Sequence, residues 1–160
     1  MKLGRLDVDV IVGPPVRVVM AGRIDDTVTL GELAAQVPAG EVVIDTSGVT
    51  FVSSIGLREW MRLVRALRER GQPVTLERVA DVLMTQMNMI SELAAAVRVA
   101  SFHAEYVCPR CGAEAMPVID AVLHAHLLHQ MQAPAMPCDE CGAAMELADF
   151  PERYLSIFRA

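Results

Sequence analysis

The residues best placed to do chemistry are the four cysteines, Cys108, Cys111, Cys138 and Cys141, the only ones in the chain. They form two near-copies, VCPRCGAEA at 107–115 and PCDECGAAM at 137–145. Two residues between cysteines let both sulfurs reach one ion from a tight turn, and the glycine after the second cysteine supplies the backbone freedom the turn needs. Two such turns close a tetrahedral four-sulfur site of the kind that holds structural zinc. One Zn²⁺ per chain is therefore expected, in a small β-rich zinc ribbon. The CPxCG spacing also suits iron in a rubredoxin-like site, and a redox dithiol is a further alternative; zinc is preferred. The segment between Cys111 and Cys138 is longer than the spacing rule expects. It carries His124, His126 and His129 and is expected to form an extended hairpin or a short inserted helix. A four-cysteine site is already full, so these histidines, and His103 near the start of this half, are read as ordinary side chains.

A second candidate lies in TFVSSIGLREW, Thr50–Trp60. It reads as the end of a buried strand, two serines and an amphipathic helix. Free N–H groups at a helix start attract an anion and the macrodipole assists. Ser53 and Ser54 are therefore candidates for a helix cap, and the pair is also a place where a kinase can write a phosphate, with Arg58 about one turn on to meet it. Arg58, Arg62 and Arg65 lie along one helix face. They form a candidate docking face for an acidic partner, or an ordinary solvated face.

The elements that must position these residues follow from periodicity. Leu6–Val12 alternates as a half-buried strand, GPP at 13–15 turns the chain, and Val16–Met20 is a second strand. Thr29 and Glu32 have capping-box spacing, which predicts a helix from Thr29 to about Pro38. Glu41–Asp45 is a short central strand and Thr46–Ser53 a loop. Leu57, Trp60, Met61, Val64 and Leu67 recur at helical spacing, and Gly71 ends that helix. Pro73–Leu76 is a strand, Ala80–Ala95 one long helix with Val82, Leu83, Met87, Ile90 and Leu93 inward, and Val97–Phe102 a last strand. Met84, Met87 and Met89 are read as core filling and Trp60 as packed inward. Strands alternating with helices indicate an α/β layer. In the tail, Pro151 opens a helix whose Tyr154, Leu155 and Phe158 are expected to pack on the ribbon or on the α/β body.

Three local patterns give residues 1–103 a family likeness. AGRID at 21–25 resembles the end of the second strand of the STAS domain, a family named for sulfate transporters and anti-sigma factor antagonists. VVIDTSGVTFVSSIGL at 42–57 resembles its motif, a hydrophobic run followed by D-L-S-x-V-x-F-x-D-S-S-G-L, and GQPVTLERVADVL at 71–83 resembles its fourth strand and the loop beyond. The resemblance implies an α/β fold, a STAS-like mixed sheet packed with helices. It also implies a role in binding protein partners, among them serine kinases and anti-sigma-type regulators. Ser54 matches the serine that such kinases phosphorylate in soluble members. This chain has Ser53 in place of the motif aspartate and Ile55 in place of the second serine or threonine. Asp25, at the end of the second strand, joins the candidate partner face.

The chain is expected to comprise a STAS-like domain, 1–103, and a four-cysteine zinc-ribbon module with a C-terminal helix, 104–160. At 53% apolar it can bury a core and is not a disordered polypeptide. No apolar run approaches the roughly 18–20 residues that span a membrane, and the paired cysteines suit a reducing compartment, so a cytoplasmic location is expected. The first part carries 11 Lys/Arg against 12 Asp/Glu and the second 3 against 8. That acidic balance argues against nucleic acid as the ribbon's partner. No nucleophile–base pair, phosphate loop or open metal position is evident. The expected function is a non-enzymatic signalling adaptor or scaffold that binds a protein through the STAS surface. A phosphorylation-switched anti-sigma factor antagonist is the alternative, and a nucleic-acid-associated regulator the third.

Overall fold

A computed structural model of the chain describes residues 1–159; Ala160, the end of the second expected unit, lies outside them. Its centre is a six-stranded sheet in the order β1 (Lys2–Leu3), β2 (Leu6–Ile11), β3 (Val16–Ile24), β4 (Val42–Val52), β5 (Val74–Glu77) and β6 (Arg98–Val99). The first two pairings are antiparallel and the remaining three parallel. Alternation decides which face is buried. Leu6, Val8, Val18, Met20, Ile44 and Leu76 lie inside, while Asp7, Asp9 and Arg17 stay exposed on the opposite face. There Arg17 reaches Glu77 at 2.8 Å across the intervening β4.

Helix α1 spans Ser54–Glu69, as the periodicity predicts. Leu57, Trp60, Leu63, Val64 and Leu67 are buried, and Arg58, Arg62 and Arg65 face outward. Gly71 adopts φ +73° just beyond its end, the left-handed conformation for which the terminating glycine is needed. Between β3 and β4 the expected Thr29 helix is instead a short 3₁₀ turn, Gly31–Gln36, with no side-chain cap. The entry to this turn is instead held by a carboxylate from elsewhere. Glu59, buried on α1, accepts from the Leu30 N–H at 3.0 Å.

Two further expectations change. β4 does not stop at Asp45 but runs to Val52. Thr46-Ser47-Gly48 looks loop-like, yet Gly48 pairs with Ala21 of β3, where register shifts mark irregular pairing. A Cβ at Gly48 would stand 2.7 Å from that of Ala21, so glycine here permits strand contact rather than a turn. The single helix Ala80–Ala95 is two, α2 (Asp81–Met89) and α3 (Ser91–Ala95), broken at an extended, partly exposed Ile90. Met84 and Met87 fill the core as expected, but Met89 is exposed.

The last expected strand, Val97–Phe102, also divides. β6 joins the central sheet. β7 (Ser101–His103) turns away and pairs antiparallel with a strand of the cysteine half. That half contains β8 (Tyr106–Val107), β9 (Glu114–Ala115), β10 (Val118–Asp120, the partner of β7), α4 (Ala125–His129), β11 (Met136–Pro137), β12 (Ala144–Leu147) and α5 (Glu152–Leu155). Strands β11-β12-β8-β9 form a small antiparallel sheet. Thus the fold is a STAS-like mixed α/β sheet with helices plus a small antiparallel β region, as expected. The long segment between the cysteine pairs supplies both β10 and the short helix α4.

The start of α1 is jammed against the end of β3. The Ser53 N–H donates to the Ile24 carbonyl at 3.0 Å, and a Cβ on Gly56 would lie 1.8 Å from the same oxygen. Gly56→Ala must therefore push the helix off the sheet. It is expected to destabilise the protein by about 3 kcal/mol, measured by urea unfolding; a change within about 0.5 kcal/mol would contradict this packing.

Candidate metal centre and helix-start site

The two cysteine turns are built alike. The Cys108 N–H donates to the Ala113 carbonyl at 2.8 Å and the Gly112 N–H to the Cys108 carbonyl at 2.9 Å. Cys138, Ala143 and Gly142 repeat the pattern at the same two distances. Gly112 and Gly142 have φ +76° and +75°, with open space where a Cβ would go. Conformation, not room, demands glycine at both. Strand β8 leads into the first turn and β11 into the second, and the pairing of β12 with β8 holds the turns face to face.

All four sulfurs lie within 4.8 Å of one another. Cys108 is 3.5 Å from Cys141, and Cys111 is 3.6 Å from Cys138. Tetrahedral metal–sulfur bonds of about 2.3 Å need sulfurs about 3.8 Å apart, so a small contraction or expansion about one ion suits the set. Electrostatics points the same way. The Cys111 N–H, reinforced by that of Arg110, lowers the Cys108 thiol to about 6. Cys111 is pushed up to about 12, because burial and the neighbouring cysteines outweigh the Ala113 N–H that favours its thiolate. Cys141 is raised for related reasons. Four thiolates this close need a cation among them, and a divalent ion satisfies that need. With all four positions taken by sulfur, such a site is closed and structural.

The histidines do not add to it. Among the described residues, the four cysteines are the one group with metal-ligand proximity. His124 precedes α4, His126 and His129 lie within it, His126 near Gln130, and His103 Nδ1 is 2.8 Å from the Met116 carbonyl.

At the helix start the two serines separate. Ser53 is the cap: its Oγ accepts from the Gly56 N–H at 3.0 Å. Ser54 is the first helical residue, exposed, and is not the cap. Ile55 beside it is 51% exposed. Arg58 follows one turn later on the same side. Arg62 is paired with Glu59, whereas Arg58 and Arg65 form no ion pair among the described residues.

Asp25 does not belong to an outer face. It is 3% exposed, and its carboxylate accepts from the Thr27 hydroxyl at 2.6 Å, the Thr27 N–H at 3.0 Å, Arg23 at 3.3 Å and Arg5 at 3.4 Å. The Thr27 hydroxyl leads these in lowering its pKa to about 2. Directly after Ile24, it ties down the loop beneath the tip of α1. The family-like motif does not show this, because burial depends on which loop closes over the side chain.

A family model described as Mlab, STAS domain, matches residues 13–100. The chain belongs to the STAS family. No curated protein matches it. The STAS match ends just before β7, where the chain crosses into the cysteine half. The four-cysteine cluster in its small β region is consistent with a zinc ribbon. No helix among the described residues is long and apolar enough to cross a membrane.

Of the two places expected for the tail, it takes the α/β body. The Tyr154 hydroxyl donates to Asp81 at the start of α2, and Arg153 lies 3.5 Å from the same carboxylate. The Ile157 N–H donates to Asn88 Oδ1 at 3.0 Å, and Phe158 stacks on Phe102 with centroids 5.3 Å apart. Burial and the Asp81 contact raise the Tyr154 pKa. The Pro151 and aromatic pattern of the tail signals a docking helix, but which body it docks on is a tertiary matter.

Two outcomes are expected. Ser53→Ala costs about 1 kcal/mol of stability through loss of the cap, and Ser54→Ala less than about 0.5 kcal/mol, by chemical denaturation; the reverse order would refute the assignment. The chain should also carry about one equivalent of thiophilic metal. Cys138→Ser should lose that metal together with the order of the β11–β12 hairpin, read by elemental analysis and amide exchange. Less than about a third of an equivalent in protein purified without added metal would count against the site.

Proposed function

We propose that the protein is a non-enzymatic adaptor or scaffold in bacterial signalling. In this reading the tip of α1 contacts a protein partner and a zinc ion holds the ribbon together. The supporting observation is the first turn of α1. It presents an exposed apolar side chain, Ile55, between a free-standing Ser54 and an unpaired Arg58. An isolated exposed isoleucine is ordinary, but this one stands on a helix start held rigid by Gly56 and Ile24 and flanked by a donor and a cation. Such a tip suits a partner surface that offers an apolar pocket edged with carboxylates. Zinc fits the four-sulfur set, and a closed site leaves no position for substrate. The acidic ribbon does not favour a phosphate backbone.

One observation favours a second reading, a phosphorylation-switched anti-sigma factor antagonist with Ser54 as acceptor. Because Ser53 does the capping, the Ser54 hydroxyl is released from that duty. A phosphate there would meet the helix N-terminus, with Arg58 one turn away.

In pull-downs from the native cell, the double variant Ile55→Asp/Arg58→Glu is expected to lose at least about tenfold of a partner that the unaltered chain retains, since it removes an apolar anchor and reverses a charge. Equal retention would defeat the proposal. Phosphate found on Ser54 in the native protein, with a matching loss of partner in Ser54→Asp, would promote the second reading over the first.

A further inference from the structure

On the outward side of α1, away from its tip, lies a slot between α1 and α3. Trp60, Met61, Val64, Leu93 and Ala96 supply its walls, Arg65 and Arg68 one rim and Glu92 the other. The cavity is about 130 Å³. Trp60 is 1% exposed, and no acceptor meets its indole Nε1–H. A buried indole N–H ordinarily finds a partner, and this one belongs to a side chain that lines a recess. Arg65 and Arg68 form no ion pairs among the described residues. Two guanidinium groups against one carboxylate leave the mouth positive.

We infer that this slot is a binding site for a small organic carboxylate with a compact apolar body. A cavity of about 150 Å³ takes one benzene-sized ring, so the volume limits the body to a single ring or a short branched chain. The apolar walls would cover that body. The carboxylate would accept from the Arg65 and Arg68 guanidinium groups, which offer planar, paired donors suited to it. Inorganic phosphate meets the charge but wastes the apolar wall, and an uncharged aromatic fills the wall but leaves the arginines unmatched. The site is independent of partner contact at the tip of α1.

Trp60 is the only tryptophan in the chain, so its fluorescence reports on this slot alone. The metal-loaded full chain is titrated with benzoate, with benzamide of the same shape but no charge, and with inorganic phosphate. Benzoate is expected to give a saturable change in emission with Kd on the order of 1 mM or tighter, reasonable for so few atoms. Benzamide and phosphate should bind at least about tenfold more weakly, because each lacks one half of the recognition. Arg65→Gln/Arg68→Gln, a change of two exposed side chains, should weaken benzoate by about tenfold while leaving the melting temperature unchanged. A response that stays linear to about 10 mM benzoate, well above the expected Kd, overturns the proposal. So does benzamide binding as tightly as benzoate, or an unaltered affinity in the glutamine variant.

Discussion

The Ile24 carbonyl accepts the Ser53 N–H and leaves no room for a side chain at position 56. Strand end and helix start thereby become one rigid corner. Everything at the tip of α1 depends on it. Gly56 must be glycine because the backbone approaches so closely. Ser53 is drawn inward to cap the helix, which turns Ser54 and Ile55 outward. The same corner sets the direction of α1, and so the side from which Arg58 and Arg65 project. Asp25, gathered in by Thr27, Arg23 and Arg5, anchors the loop that follows Ile24. The exposed tip of this STAS domain is thus a consequence of one steric constraint, with hydrogen bonds arranged around it.

The second half is organised by a different force. Its strands are two to four residues long, too short to support an independent sheet. Two glycine turns bring four cysteine sulfurs within 4.8 Å of one another, and a metal ion held there would contribute folding energy directly. This half is also fastened to the first half. β7 pairs with β10, Phe158 stacks on Phe102, and the Tyr154 hydroxyl and Arg153 both engage Asp81. Buried aromatic area and a part-buried ion pair with its hydrogen bond make this seam more than a tether.

Local sequence patterns showed the α/β alternation, α1 with its terminating glycine, and the pairs of cysteines. In each case the signal lies within a few residues: a periodicity of 2 or 3.6, a glycine required for positive φ, or a spacing that lets two sulfurs meet. The errors share a different cause. Thr29 has the spacing of a cap, but the Glu59 carboxylate arrives from α1 and meets Leu30 instead. Thr46–Ser47–Gly48 has loop composition, but pairing with β3 draws it into a strand. Ile90 keeps the helical period, yet the chain breaks there.

For the site, the sequence by itself picked out the four cysteines that cluster, because Cys-x-x-Cys-Gly is a local device that sets two sulfurs side by side. It also determined that two serines stand at a helix start. Only the tertiary structure decided which serine caps and which is free, since the choice follows from contact with Ile24, at the end of an earlier strand. Only the tertiary structure removed Asp25 from the outer face, joined Asp81 to the C-terminal helix, and placed Arg65 and Arg68 across from α3 beside an unpartnered Trp60. These outcomes depend on which surfaces meet when the chain closes, and a linear pattern carries that information only where the meeting residues are neighbours.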